Sequence, residues 1–218
     1  MLTFIPQPQK IEKISDKTFS FTNIKLGTND LSVEAQEEFI SSCSLPFSKS
    51  ETIIFKTNTA LSDEEYIIET GNEITLFSNS PSGQLYALQT IKQILFQCKD
   101  KIPHIRISDK PAYKFRGFML DAGRYFFSVE DVKKIIIRMV LHKLNVLHLH
   151  LTEDQGWRIE IKKYPLLTDK GSIRKKTNFN HKPHSGFYTK QDIKKIVDYA
   201  HAFGIKVMPE FDIPGHSR

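Results

Sequence analysis

The sequence is poor in cysteine and tryptophan, with Cys43, Cys98 and Trp157 as the only such residues among 218. The two cysteines form neither a C-x-x-C pair nor a metal-ligand spacing, which argues against a zinc ribbon and a dithiol redox centre. A disulfide and two free thiols are both compatible with this pair. Two thiols are favoured, and the redox compartment stays open.

Long apolar runs are also missing, so the sequence predicts neither a membrane span nor a membrane partner. The N-terminus has no basic region followed by an apolar stretch, and thus lacks the pattern of a signal peptide. We expect a cytoplasmic protein as the chain is written, and a secreted or periplasmic one if a leader precedes it. No feature of the sequence indicates an oligomeric state.

Acidic residues are scarce in the second half of the chain. Residues 1–110 carry a net charge of −3 and residues 111–218 a net charge of +9. Positive charge of this size is compatible with nucleic-acid binding. The lysines, however, fall in isolated pairs without aromatic residues between them, which favours solvated helix faces and loops. We therefore predict no nucleic-acid partner.

Residues 1–110 read as a small α+β domain. Runs rich in β-forming residues predict strands at Glu51–Lys56, Glu65–Glu69, Glu73–Ser78 and Ile102–Ile107. Apolar residues at helical spacing predict helices at 31–41 and 81–98. A polar turn at 108–111 then marks the predicted domain boundary.

Residues 111–218 alternate between strand and helix. Strands are predicted at Phe115–Leu120, Asn145–Leu151 and Ile205–Phe211, with helices that begin after Ser128 and Thr189. A long polar loop is predicted near 170–187. Such alternation predicts parallel strands with helical crossovers, and both a (β/α)8 barrel and an open doubly wound sheet fit it.

Polar residues follow the carboxyl ends of the three predicted strands. In a barrel this edge holds the active site, and in an open sheet it forms the ligand crevice. Arginine and carboxylates pair well with hydroxyl groups, so the edge suits a polyhydroxylated ligand. The charged and histidine residues at these strand ends are Asp121, Arg124, Glu153, Asp154, Glu210, Asp212 and His216.

Four segments resemble glycoside hydrolase family 20, the retaining β-N-acetylhexosaminidases. They read SPSGQLYALQTIKQIL (80–95), RGFMLDAGRYF (116–126), KLNVLHLHLTEDQGWRIEIKKYP (143–165) and EFDIPGHS (210–217). The resemblance implies an N-terminal α/β domain followed by the first three strands of an eight-unit TIM barrel. It also implies hydrolysis of terminal N-acetylhexosamine from β-linked glycans, with no metal or organic cofactor.

The resemblance makes Arg124, Glu153, Asp154, Asp212 and His216 the candidate site residues. Arg124 matches an arginine that binds sugar hydroxyls, and His216 matches a histidine that forms a relay with an acid and the catalytic glutamate. That relay acid is usually aspartate, whereas this sequence has Glu153 followed by Asp154, and either could take the role. Asp212 matches a nearby supporting acid.

The catalytic acid of the family is the glutamate of an Asp-Glu pair after the fourth barrel strand. The only such pair here is Asp63-Glu64, in the first domain, where a solvated turn is the better interpretation. We therefore expect the chain to end before the acid–base residue and the 218 residues alone to be inactive.

Two alternatives remain. His148 and His150 alternate along one strand and so share a face, as metal ligands do in amidohydrolase barrels, although packed structural histidines are favoured. The chain could also be a non-catalytic glycan-binding remnant. A coding sequence that continues into an Asp-Glu pair would distinguish an enzyme from a remnant.

Overall fold

The computed structural model describes residues 2–20, 24–43, 53–98, 101–177 and 181–216. The chain divides into two compact units, Met1–Lys114 and Phe115–Arg218. No helix in the described residues is both long enough and apolar enough to cross a membrane.

The first unit is a five-stranded sheet with two helices. Its elements are β1 (Lys10–Ser20), α1 (Val33–Ser42), β2 (Ile53–Thr57), β3 (Tyr66–Thr70), β4 (Ile74–Ser78), α2 (Pro81–Cys98) and β5 (Lys101–Asp109). The strand order is β1-β5-β3-β4-β2, and only the β2–β4 pair is parallel. Strands β3 and β4 form an antiparallel hairpin. Of the first predicted strand, residues 51 and 52 lie outside the described residues.

Helix α2 covers this sheet with the apolar stripe that the sequence predicted. Ser80 caps it by accepting the Gly83 N–H at 3.2 Å, and Pro81 occupies the first turn, where its missing N–H costs no helical hydrogen bond. The stripe is buried and joins the core of the unit. It comprises Leu85, Leu88, Ile91, Ile94 and Leu95.

Strand β1 was not predicted. It pairs antiparallel with β5 at the edge of the sheet, and its register shifts between Lys13 and Thr18. Nine of its eleven residues are exposed, so its sequence lacks the alternation of apolar and polar residues by which a half-buried strand is recognised. Charged residues on an edge strand also discourage pairing with another chain.

Cys43 and Cys98 are both free thiols, as the sequence favoured. Both pack against the core of the first unit. Burial raises the pKa of the Cys43 thiol to about 11, so this thiol stays protonated and unreactive at neutral pH.

The second unit contains a three-stranded parallel sheet. Its elements are β6 (Gly117–Asp121), α3 (Val129–Leu141), β7 (Val146–His150), β8 (Thr152–Glu153), β9 (Gly156–Trp157), α4 (Leu166–Asp169), β10 (Ile173–Arg174), β11 (His184–Ser185), α5 (Lys190–Ala202) and β12 (Lys206–Glu210). Strand β7 lies between β6 and β12 and is parallel to both. The three predicted strands and the two predicted helices are all present.

The two long helices begin at the predicted capping residues. The Ser128 hydroxyl accepts the Asp131 N–H at 3.2 Å, and Thr189 forms a reciprocal capping box with Asp192. Gly204 follows α5 with a φ of +65°, a conformation that glycine adopts without steric cost.

The loop predicted near 170–187 contains short elements. Strands β10 and β11 form an antiparallel pair in which Arg174 lies opposite His184. An isolated parallel bridge joins Ile159 to Tyr188. Residues 178–180 lie outside the described residues. The elements are too short to produce a periodic sequence pattern.

Candidate active site

Three polar residues are aligned at the carboxyl ends of the parallel strands. Asp121 of β6 pairs in register with His150 of β7, and His150 pairs in register with Glu210 of β12. The strands therefore end level with one another. The loops that follow them start from one edge, which is the edge where parallel α/β sheets bind ligands.

Arg124 follows β6 and is held by two carboxylates. Its backbone N–H donates to Asp121 Oδ1 at 3.0 Å, and its Nη1 lies 2.6 Å from Asp121 Oδ2. Its Nη2 lies 2.5 Å from Glu153 Oε1. The hydrogen bond that its side chain donates to Asp121 raises the pKa of Arg124 above its ordinary value. The side chain is half exposed, so the guanidinium is fixed in direction yet open to a ligand.

Asp121 is ionised in this arrangement. Burial tends to raise the pKa of its carboxyl, but the backbone and side-chain hydrogen bonds from Arg124 more than offset that effect. The pKa of Asp121 therefore lies below its ordinary value, and the residue remains a charged partner for Arg124 throughout the neutral range.

Glu153 is the most buried of the predicted site residues, with 2% of its side chain exposed. Its Oε2 accepts the backbone N–H of Asp154 at 3.1 Å. Its Oε1 lies at ion-pair distance from Arg124, from His216 Nδ1 at 2.8 Å and from His150 Nε2 at 3.4 Å. No described donor is aligned on Oε1 as in a hydrogen bond, so the contacts there are electrostatic.

A glycine permits the close approach of Arg124 and Glu153. A Cβ added to Gly123 would lie 2.8 Å from the Cβ of Glu153, closer than two such atoms can come without displacement. The absence of a side chain at 123 lets the end of β6 pack directly on β8. Arg124, the next residue, is thereby brought within reach of the Glu153 carboxylate.

His216 and Asp212 come from the segment after β12. The Asp212 N–H donates to Thr152 Oγ1 at 2.8 Å, which anchors this segment beside β8. His216 has a φ of +52°, an unusual conformation for a residue with a side chain. Its Nδ1 faces Glu153, and its Nε2 lies 4.0 Å from Asp212 Oδ2. The segment thus presents its imidazole to the buried carboxylate.

The structure brings four of the five predicted site residues into one set of contacts and places the fifth beside it. Arg124 and His216 each contact Glu153, and Asp212 lies near the outer nitrogen of His216. Asp154 is exposed, and its backbone rather than its carboxylate supports Glu153. Of the two adjacent acids, Glu153 is the one that contacts His216.

His148 and His150 share one face of β7, as the alternation predicted. Glu210 Oε2 lies 2.6 Å from His148 Nε2 and 2.9 Å from His150 Nδ1. Burial tends to raise the pKa of Glu210, but the hydrogen bonds and charge of the two histidines more than offset it and lower the pKa below its ordinary value. In the described part of the chain, no group of three or more His, Cys, Asp or Glu is arranged to hold a metal ion.

Arg158 is fully buried and was not among the predicted site residues. Its Nε donates to the carbonyls of Ala122 and Gly123 at 3.1 and 3.2 Å. Its Nη1 donates to those of Ser172 and Gly186 at 2.7 and 3.0 Å. One side chain thereby ties the loop that carries Arg124 to the loop around β10 and β11. Its partners are all backbone carbonyls, so no residue pattern in the sequence indicates this structural role.

A cavity of about 650 Å³ opens beside Arg124. Cationic, aromatic and neutral polar side chains line it, and no carboxylate is among the lining residues that the structure describes. They are Arg124, Tyr125, Phe127, Gln155, Arg174, Lys176 and Thr177.

The Asp63-Glu64 pair belongs to the first unit, whereas the candidate site residues all belong to the second. It occupies a turn before β3, where the Glu64 carboxylate accepts the Tyr86 hydroxyl at 3.1 Å. This agrees with its interpretation as a turn and gives it a structural contact.

Comparison with known families accounts for nearly the whole chain. Residues 113–218 match the catalytic domain of glycosyl hydrolase family 20, and residues 2–110 match domain 2 of the same family. A β-hexosaminidase of Vibrio furnissii is 40% identical over 179 residues, which cover 78% of this chain and 29% of that protein.

Solved structures show the same relationship. The N-acetylglucosaminidase of Vibrio harveyi, in complex with N-acetylglucosamine, superposes with a TM-score of 0.85 at 34% identity, over 98% of this chain and 36% of that one. The β-N-acetylhexosaminidase of Bacteroides fragilis superposes with a TM-score of 0.81 at 33% identity, over 98% and 45%. The chain thus spans less than half the length of these relatives.

These matches confirm the predicted fold class, a small α+β domain followed by the first units of a (β/α)8 barrel. They favour the barrel over the open sheet, and a glycosidase over the amidohydrolase alternative. The chain belongs to glycosyl hydrolase family 20.

Proposed function

We propose that the protein carrying this chain hydrolyses terminal, non-reducing N-acetylhexosamine residues from β-linked glycans. The observation that carries this proposal is the contact of Arg124 and His216 with one buried carboxylate, that of Glu153, at the carboxyl edge of the sheet. Family membership supports the same substrate class. No metal or organic cofactor is part of the proposal.

In this proposal Arg124 binds the sugar. Its guanidinium is oriented by Asp121 and Glu153, and its half-exposed side chain has N–H groups to donate to sugar hydroxyls. A charged donor held in one direction loses little conformational entropy when the substrate binds, and it fixes the sugar ring relative to the reacting bond.

Glu153 and His216 act as a relay in support of the catalytic glutamate. The buried carboxylate holds the imidazole of His216 by its Nδ1, which leaves Nε2 on the more exposed side of the ring. The glutamate itself is expected outside these 218 residues. Asp212 lies near the same imidazole and limits its rotation.

The reaction follows the substrate-assisted route. The acetamido oxygen of the substrate attacks the anomeric carbon and forms a cyclic oxazolinium ion, which keeps the amide N–H, while the bond to the leaving oxygen breaks. The glutamate protonates that oxygen, then deprotonates a water molecule that opens the ring. Two displacements at the same carbon restore the original configuration.

The test uses the protein that contains the complete catalytic domain, with 4-nitrophenyl N-acetyl-β-glucosaminide as substrate. We expect nitrophenol release, and proton NMR of the fresh product should show the β-anomer first. The 218 residues alone should release none. Absence of turnover by the longer protein, or an α-anomer as first product, would contradict the proposal.

A further inference from the structure

The loop between α4 and α5 is strongly and uniformly basic. Residues 170–189 contain five lysines and arginines and no aspartate or glutamate. Two of these cations, Arg174 and Lys176, line the cavity beside Arg124. A segment whose charged side chains are all positive, and which lines a cavity, attracts anionic ligands.

The two loop cations have no acidic partner in the described residues. Arg124 is charge-paired with Asp121 and Glu153, whereas neither Arg174 nor Lys176 lies within ion-pair distance of a described carboxylate. The described residues that line the cavity include no acid either. The walls therefore carry net positive charge that nothing described in the chain neutralises.

A buried cation near this loop increases the local positive charge. Burial, followed by the positive charge of Arg174, lowers the pKa of Arg158 to about 10. Because the positive charge of Arg174 disfavours that of Arg158, an anion bound beside Arg174 stabilises the loop.

Several contacts attach the loop between α4 and α5 to the loop that carries Arg124. Arg174 lies opposite His184 in the β10–β11 pair. The His184 ring stacks on Tyr125 at 3.8 Å between centroids, and its Nε2 accepts the Phe126 N–H at 2.8 Å. Arg174 is thereby held in register with the loop that carries Arg124. Both loops are tied together again by Arg158.

The remaining lining suits a sugar that carries the charge. Tyr125 and Phe127 provide adjacent aromatic rings, 5.7 Å apart in an edge-to-face arrangement. The Gln155 amide oxygen is buried without a hydrogen-bond partner among the described residues, so it has an unused bonding position for a ligand hydroxyl.

We propose that this cavity binds an anionic substituent, a sulfate or a carboxylate, on the terminal N-acetylhexosamine of the substrate. The proposal rests on the proposed function, which places Arg124 against the hydroxyls of that sugar. Because the cavity begins at Arg124, a substituent on one of those hydroxyls enters it and meets Arg174 and Lys176. Sulfate and carboxylate each carry at least two negatively charged acceptor oxygens, which an arginine can bind with two hydrogen bonds.

The test compares kcat/KM for charged and neutral substrates in the protein with the complete catalytic domain. The panel consists of 4-nitrophenyl N-acetyl-β-glucosaminide, its O3-, O4- and O6-sulfates, and the O3-lactyl ether, which carries a carboxylate. We expect at least one charged substrate to exceed the neutral one by about tenfold, the factor for one charge-assisted hydrogen bond. Raising the salt concentration should shrink the preference.

Substitutions of the loop cations test whether they cause the preference for charged substrates. In Arg174→Gln/Lys176→Gln the ratio of charged to neutral kcat/KM should fall about tenfold, and Arg174→Lys with Lys176 intact should retain most of it. The matched control Arg138→Gln/Lys162→Gln removes two exposed cations of the same unit outside the cavity lining and should leave the ratio unchanged.

The outcomes separate this inference from the proposed function. If the neutral substrate is hydrolysed but no charged one is preferred, or if the preference survives Arg174→Gln/Lys176→Gln, the anionic site is wrong and the proposed function stands. If neither neutral nor charged substrates are hydrolysed, the proposed function itself fails. The sulfates and the lactyl ether distinguish the two classes of anion.

Discussion

Glu153 Oε1 lies 2.8 Å from His216 Nδ1, although the chain has glutamate where the family usually has aspartate. The additional methylene group does not prevent the contact. The same oxygen, Glu153 Oε1, also lies 2.5 Å from Nη2 of Arg124. One buried carboxylate therefore orients both the proposed sugar-binding arginine and the proposed relay histidine.

Replacing Arg124 by alanine should severely reduce turnover. Loss of a charged donor to sugar hydroxyls costs about 2–4 kcal/mol of transition-state binding, roughly a 30- to 1,000-fold fall in kcat/KM. The measurement is kcat/KM on 4-nitrophenyl N-acetyl-β-glucosaminide, with Lys162→Ala as an exposed control. A loss smaller than about tenfold would remove Arg124 from the site.

His216→Ala should change the pH–rate profile as well as kcat. An imidazole that supports the catalytic glutamate affects the protonation state in which that acid works. A residue with only a structural role would reduce activity at every pH by a similar factor. A normal kcat with an unchanged profile would contradict the relay.

Glu210→Gln should change how stability depends on pH. A carboxyl whose folded-state pKa lies below its unfolded value stabilises the fold above the unfolded value, and this contribution is lost as the pH falls through the folded-state pKa. The variant should therefore melt below the wild type at pH 6–7, about two units above an ordinary glutamate pKa, and the difference should narrow below about pH 4. Thermal melts across this range provide the measurement, and a difference in Tm that stays constant with pH would show that Glu210 is not charge-paired.

Arg158→Met should destabilise the second unit. The change leaves four carbonyls without their buried donor, and we expect a loss of about 3 kcal/mol. Arg158→Lys keeps the charge but cannot reach all four oxygens, so its loss should be intermediate. Chemical denaturation measures both, and a wild-type midpoint for Arg158→Met would refute the structural role.

The position of the site could be predicted because regular elements determine it. Alternating strands and helices with clear capping residues indicate parallel strands, and parallel strands bring their carboxyl ends to one edge. Arg124, Glu153 and His216 each lie within a few residues of such an end. Their meeting thus follows from topology before any distance is known.

Three features of the structure could not be predicted, because they depend on contacts that produce no sequence pattern. Strand β1 is exposed at a sheet edge and has no apolar alternation. Arg158 stabilises two loops through backbone carbonyls, which any sequence supplies. The choice between Glu153 and Asp154 depends on which way the chain turns after β8, because adjacent residues differ in burial only once that turn is formed.

The most direct test of the site compares Glu153→Gln with Asp154→Asn in the protein that has the complete catalytic domain. Each variant removes one negative charge from adjacent residues and keeps the side-chain shape, so the pair is matched. Thermal melts confirm that both variants are folded before kcat/KM is measured on 4-nitrophenyl N-acetyl-β-glucosaminide. We predict that Glu153→Gln loses about 10- to 100-fold in kcat/KM, as removal of a supporting carboxylate does elsewhere, and that Asp154→Asn stays within about threefold of wild type. A large loss in Asp154→Asn with near-normal turnover in Glu153→Gln would contradict the account.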